Sequence, residues 1–186
     1  MVRRYSPEAV PREVLERVVA MGRRGPSAGF TQGQSFVVVT DAGLRQEIAG
    51  LAGEGAYVGK GFQPWISEAP AHVVVCTREQ DYRDRYRALD KLGPKGELKW
   101  PAPFWYVDAG CSLMLLLLAA VDEGLAAGFL ALKSYDGLRA LLSIPADVQP
   151  IGIVTMGKPV PDRRSGSLDR GRRPAAEVIH HDRWGA

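Results

Sequence analysis

The sequence predicts a single domain of mixed helix and strand, either α/β or α+β. Three observations carry that prediction. Apolar, mostly β-branched runs recur at 36–40, 71–76 and 151–157, with segments of helical periodicity between them. The chain has 186 residues, one domain's worth of polypeptide, and a chain of that size buries about 70% of its unfolded surface. Its 46% hydrophobic and 24% charged residues exclude a disordered, collagenous or disulfide-stapled protein. No internal repeat divides it.

Pro11 opens a helix whose face carries Val14, Leu15, Val18 and Val19, and Gly25-Pro26 stops it near Arg24. Ser27 to Gln34 is a small-residue loop. Phe36 to Thr40 reads as a strand buried on both faces. Leu44, Ile48 and Leu51 mark a short amphipathic helix, and a loose stretch follows from Gly53 through Trp65. Ala71 to Cys76 is a second buried strand, with His72 at its edge in a structural role. Residues 78–106 read as a variable insertion: an exposed helix around Tyr82 and Tyr86, then a charged, Pro-rich stretch from Lys91 to Pro103. So long an irregular segment inside a domain points to a lid, and its aromatics agree.

Asp108 is positioned to cap a long helix that runs to about Glu123 and ends at Gly124. Residues 113–118 are Leu or Met without a break and cover every face, so protein must surround this helix. A second subunit would cover what one domain leaves open, which predicts a homodimer. The apolar stretch from Ala109 to Val121 has 13 residues, short of the roughly 20 that a membrane span needs, so no membrane is expected. Phe129 to Leu132 reads as a short extended piece. Leu138, Leu141 and Leu142 mark another helix, stopped by Ile144-Pro145, and Ile151 to Gly157 is a third buried strand. Residues 159–186 form a basic arm in which Glu177 to His180 reads as a late edge strand.

Charge is concentrated in that arm. Arg163, Arg164, Arg170, Arg172 and Arg173 against Asp169 leave +4 in eleven residues, while the rest of the chain carries −1. A nucleic-acid surface spreads its cations and interleaves aromatics, whereas this arm has none before Trp184, so the expectation is no nucleic acid. Arg163 and Arg164 read as solvated charges. Cys76 and Cys111 lie in apolar runs and read as buried thiols of a reducing cytoplasm. Val2-Arg3-Arg4-Tyr5 has no apolar segment behind it, which reads as no signal peptide. The histidines have no metal-ligand spacing, so no metal is expected.

The chain has no Gly-x-Ser-x-Gly elbow, phosphate loop, dinucleotide Gly-x-Gly-x-x-Gly or His-Glu-x-x-His. An enzyme built this way would take its reactivity from a bound cofactor. A small-residue loop at 26–34, a Gly/Ala segment at 124–128 and arginines at both chain ends suit such a role.

The order of short motifs resembles the nitroreductase-like flavoproteins. Val2-Arg3-Arg4-Tyr5, a helix, Arg24-Gly25-Pro26-Ser27-Ala28, Gln32 and the strand Phe36–Val39 follow that family's opening. Ala69-Pro70, the helix through Ala119-Ala120 to Gly124-Leu125, Leu138–Pro145, Met156-Gly157-Lys158-Pro159 and Arg172-Arg173-Pro174 are similar to its later half. The resemblance implies an α+β fold with a central, mainly antiparallel sheet flanked by helices, in an intertwined homodimer. It also implies flavin mononucleotide (FMN) at the subunit interface. NADH or NADPH would supply hydride, which passes through the flavin to a small organic acceptor such as a nitroaromatic or quinone.

For cofactor binding the resemblance points to Arg3, Arg4, Arg170 and Arg172 for the phosphate. Ser27, Ala28, Phe30 and Gln32 lie in the loop laid against flavin, and Leu130, Ala131 and Leu132 fall where backbone amides meet its ring. Trp100, Phe104 and Trp105 would wall the acceptor side; no side chain is assigned as catalytic, because the flavin carries the chemistry. Two departures stand out. Phe30 occupies a position that is usually a polar amide, often Asn, and Gln32-Gly33-Gln34 replaces Gln-Pro-Trp. The family's Arg-Arg-Ser would align before Met1, which leaves an upstream start, substitution by Arg3 and Arg4, or compromised flavin affinity open. A specialised flavin-fold enzyme (dehydrogenase, dehalogenase or flavin-cleaving) and a non-catalytic ligand-binding relic are the alternatives.

Overall fold

A computed structural model describes residues 2–92 and 99–185. Its centre is a four-stranded sheet in the order β1-β2-β4-β3, made of β1 (Gln34–Val39), β2 (Ala71–Thr77), β3 (Ala126–Leu130) and β4 (Gln149–Gly157). Every neighbouring pair is antiparallel. Helices α1 (Arg12–Gly22), α2 (Ala42–Leu51), α3 (Glu54–Val58), α4 (Glu79–Arg87), α5 (Phe104–Asp122) and α6 (Asp136–Leu142) surround it. This is the α+β architecture the family resemblance implies.

Strand alternation divides the core into two layers. Val73 and Val75 join Leu15, Val18, Leu116, Ala120 and Met156 under α1 and α5. Val74 and Cys76 join Ile48, Trp65, Ile66, Leu138 and Ile153 under α2, α3 and α6. Each fully buried Val, Leu or Ile contributes about 1.5–3 kcal/mol, so these layers dominate stability. At the α1–α5 crossing, a Cβ on Gly22 would meet Leu116 Cγ at 2.8 Å. Glycine is what lets the two helices approach.

Several expectations need correction. The Phe36–Thr40 segment is not buried on both faces: β1 is an edge strand, and Val38 is exposed. The stretch after Gly53 contains helix α3, whose Glu54 is buried and accepts Ile66 N at 2.6 Å, Ser67 N at 3.0 Å and Ser67 Oγ at 2.6 Å. The helix around Tyr82 is present as α4, yet Tyr82 is fully buried. The long helix begins at Phe104, with Pro103 in the capping position, so Asp108 lies inside it. Its 19 residues make it long and apolar enough to cross a membrane by length and composition, where the sequence reading counted a shorter run. Here its inner face of Asp108, Ala109, Ser112, Leu116 and Ala120 is buried.

The extended piece expected at 129–132 is strand β3 at 126–130, and Ala131 and Leu132 follow it. Glu177 to His180 forms no strand among the described residues: Ala175–Glu177 is a 3-10 turn. Between α4 and α5 the described residues 88–92 and 99–103 of the proposed lid are irregular, and residues 93–98 lie outside the described residues. From Pro161 to Gly185 the arm is exposed apart from half-buried Ser165 and His180.

Candidate functional site

The residues singled out from sequence fall into two patches on opposite edges of the sheet. The first is the loop between α1 and β1. Ser27 Oγ accepts Gln32 N at 2.9 Å, and the Asp108 carboxylate accepts Ala28 N at 2.8 Å. Arg85 of α4 donates from Nε to Gly29 O at 2.9 Å. These bonds hold Gly29, Phe30 and Gln32 at φ 63°, 55° and 56°, a left-handed region unfavourable for Phe and Gln. Phe30 is also 76% exposed, so the loop bears two costs at one residue. Strain of this kind persists where surrounding contacts over-determine the backbone.

Tyr82 braces the same loop. Its hydroxyl accepts Gln34 Nε2 at 2.9 Å. Burial and the nearby Asp108 carboxylate push the Tyr82 phenol far above its ordinary range, so it keeps its proton. A Cβ on Gly33 would meet Tyr82 Cε2 at 2.6 Å, so only glycine passes there. Beside this brace, Trp100 is packed by Tyr86 at 4.5 Å, Phe104 at 5.8 Å, and Tyr82 and Trp105 at 6.2 Å between ring centres. The Trp100 indole nitrogen is buried and has no hydrogen-bond partner.

The second patch lies along the β3 edge. Val2 N donates to Ala127 O at 3.2 Å, which places the Ala127 carbonyl on the side away from β4. Strand alternation then puts the Phe129 N–H on that open side and the Leu130 amide toward β4. Leu132 N donates to Tyr135 Oη at 3.4 Å. Of the three positions singled out at 130–132, Ala131 lies just past the strand end, and the Leu130 and Leu132 side chains are buried. At the other end of β3, Arg3 lies 5.2 Å from the Phe62 ring centre and 6.0 Å from that of Trp65. Arg3 N donates to Asp162 Oδ2 at 2.7 Å, whereas its side-chain Nε is buried without an acceptor. Arg4 Nη1 donates to Pro161 O at 3.1 Å.

Gln34 pairs with Thr77, Thr77 with Gln149, and Leu130 with Ile153. The loop and Ala131 thus lie on opposite edges, across three strand spacings or roughly 14 Å, and are offset further along the strands. One chain does not bring them together. Arg170 and Arg172 are exposed on the arm, and among the described residues no hydrogen bond or ion pair joins them to either patch. Arg163, read from sequence as a solvated charge, lies 3.7 Å over the Phe62 ring. Asp108, Tyr82, Arg85 and Phe62 were missed as site residues. The carboxylate inside an otherwise apolar helix was the one available signal, and it reads equally well as a cap.

This combination of an antiparallel sheet between two helical layers, a strained loop and an arginine-flanked strand edge defines a class of cofactor-binding α+β folds. A family model described as Nitroreductase family matches residues 1–158, and the chain belongs to that family. The arm lies beyond the match. The chain is 28% identical over 191 residues to the FMN reductase (NAD(P)H) of Bacillus subtilis, covering 98% of this chain and 70% of that one. It is 25% identical over 193 residues to the iodotyrosine deiodinase of Nematostella vectensis, covering 96% and 70%. Among solved structures, the nitroreductase family protein of Streptococcus pneumoniae superposes with a TM-score of 0.74 at 18% identity, covering 96% of this chain and 94% of that one.

Proposed function

We propose that two copies of this chain form an FMN-dependent oxidoreductase that passes hydride from NADH or NADPH to a small organic acceptor. The observation that carries this reading is the separation of the two patches: each is half of a cofactor cradle, and a second copy supplies the other half. The residue types fit the cofactor. Arg3 has a buried Nε without an acceptor, matching a phosphate. The outward amide of Phe129, next to the end of β3, matches a ring that gains negative charge on reduction.

A dimer is supported by helix α5. Val107, Met114, Leu118 and Val121 are 49–66% exposed, and with Cys111 they repeat at the alternating four- and three-residue spacing of a coiled-coil seam. Covering the exposed half of four such side chains contributes about 3–6 kcal/mol per subunit. The arm adds exposed Val178, Ile179 and Trp184, and a groove of about 730 Å³ beside β1 is lined by Val10, Leu15, Val19 and Val38 and flanked by Arg12, Glu16 and Arg23. We assign the partner's arm to that groove, which also brings Arg170 and Arg172 across the interface.

When bound, FMN supplies reversible hydride acceptance and donation. The chain's own residues bind and orient it: the arginines hold the phosphate, the strand edge donates an amide to the ring, and the Ser27–Gln32 loop closes the opposite side. Trp100, Phe104 and Trp105 with the 78–106 segment form the acceptor-side wall and lid. Similarity to an iodotyrosine deiodinase favours a halogenated aromatic acceptor as the second reading. Titration of purified protein with FMN, followed by NADH or NADPH with a quinone, a nitroaromatic and an iodophenol, tests both. Bleaching of bound flavin with quinone or nitroaromatic turnover supports the first reading, and iodide release alone supports the second. A chain that binds no FMN contradicts both.

A further inference from the structure

We propose that Asp108 is a positioning residue that fixes the Ser27–Gln32 loop from one side while the lid helix α4 holds it from the other. The inference rests on the reading of that loop as a flavin contact. Asp108 is buried, and it accepts Ala28 N of the loop, 80 residues away in the chain, at 2.8 Å. A carboxylate in a mostly apolar helix is costly to bury unless it accepts hydrogen bonds. Here the engagement is the function.

The loop needs such a hold. Its Phe30 and Gln32 occupy left-handed backbone that neither residue favours, so without external bonds it would relax. Besides Asp108, the external bond from a side chain is Arg85 Nε to Gly29 O at 2.9 Å, and Arg85 is on α4. Gly29 also packs on Tyr86, where a Cβ would meet Cε2 at 2.9 Å. The loop is therefore held between Asp108 at Ala28 and helix α4 at Gly29. An acceptor that moves α4 moves the loop, and loss of Asp108 loosens the loop.

The test uses the full chain with Asp108→Ala, Asp108→Asn and Asp108→Leu, read by local amide hydrogen exchange and by FMN titration. Asp108→Ala is expected to speed exchange across 27–34 by about tenfold, to leave β4 unchanged, and to weaken FMN binding by a similar factor. Asp108→Asn keeps an acceptor for Ala28 N and stays within about threefold of the parent. If the alanine variant does not fold, Asp108→Leu, which fills similar space without an acceptor, decides, with exchange faster in the loop but not in α1. Parental loop exchange in every variant that folds overturns the proposal, as does a loosened loop with undiminished FMN affinity. A parent chain that binds no FMN overturns the flavin reading, and exchange still decides whether Asp108 holds the loop.

Discussion

The guanidinium of Arg163 lies 3.7 Å over the ring of Phe62, and the Arg3 guanidinium lies 5.2 Å from the same ring. One aromatic side chain thus gathers a cation from each end of the polypeptide. Arg163 also donates to Lys60 O at 3.2 Å, which fixes the root of the arm to the body. Phe62→Ala should remove both stacks. An exposed cation–π contact is worth about 0.5–1 kcal/mol, so loss of both is expected to lower FMN affinity about five- to thirtyfold. Fluorescence titration checks this, and an unchanged dissociation constant would separate Phe62 from the site.

The apolar seam of α5 gives a second expectation. Leu118→Glu places a charge in the middle of the seam between Met114 and Val121. Burying an unpaired carboxylate costs several kcal/mol, comparable with what the seam contributes. Sedimentation at micromolar concentration should find the variant monomeric and unable to retain FMN, while its far-ultraviolet dichroism stays native. A dimeric Leu118→Glu protein would move the interface elsewhere.

His72 predicts a pH dependence of stability. It is fully buried in β2, its Nε2 is 2.7 Å from Ile66 O, and its Nδ1 has no partner. Burial lowers its pKa from the ordinary 6.5 to about 4, against the opposing pull of the Ile66 carbonyl. Between those values the unfolded chain binds a proton that the folded chain refuses. Stability is therefore complete above the ordinary pKa, falls as pH drops toward 4, and loses roughly 3 kcal/mol by that point. Urea unfolding across that range should show the slope in the parent and little of it in His72→Gln. Equal slopes would place the effect on other groups.

Phe30 predicts a gain. Its φ of 55° is one that Asn tolerates and Phe does not, and its ring is exposed. Phe30→Asn should stabilise the folded chain by about 1 kcal/mol, measured by urea denaturation. A destabilised variant would mean that the ring is held by contacts across the interface.

Sequence and structure agree best where burial is complete. Val73 to Val75 and Ile153-Val154 sit in the two central strands, and a continuous apolar run is what such strands require. Val37-Val38-Val39 has the same local character but lies at the edge, since position in a sheet depends on partners rather than on the run itself. Asp108 was legible as a polar interruption, not as a hold on the loop, because Ala28 is 80 residues away and nothing local links them. The apolar residues at 178–179 were legible as strand formers, yet Val178 instead ends a 3-10 turn. For the site, the order of short motifs located the loop and the β3 end, while their separation across the sheet emerged only with the fold.

Mixed dimers test the central claim most directly. Arg3→Glu should disable the arginine patch, and Ala28→Trp should disable the loop, so neither homodimer retains FMN. If each cradle draws one patch from each subunit, co-refolding the two variants restores an intact cradle in every mixed dimer, with about one flavin bound per mixed particle. No flavin in the mixed sample, with both variants folded and dimeric, would contradict a cofactor site shared between subunits.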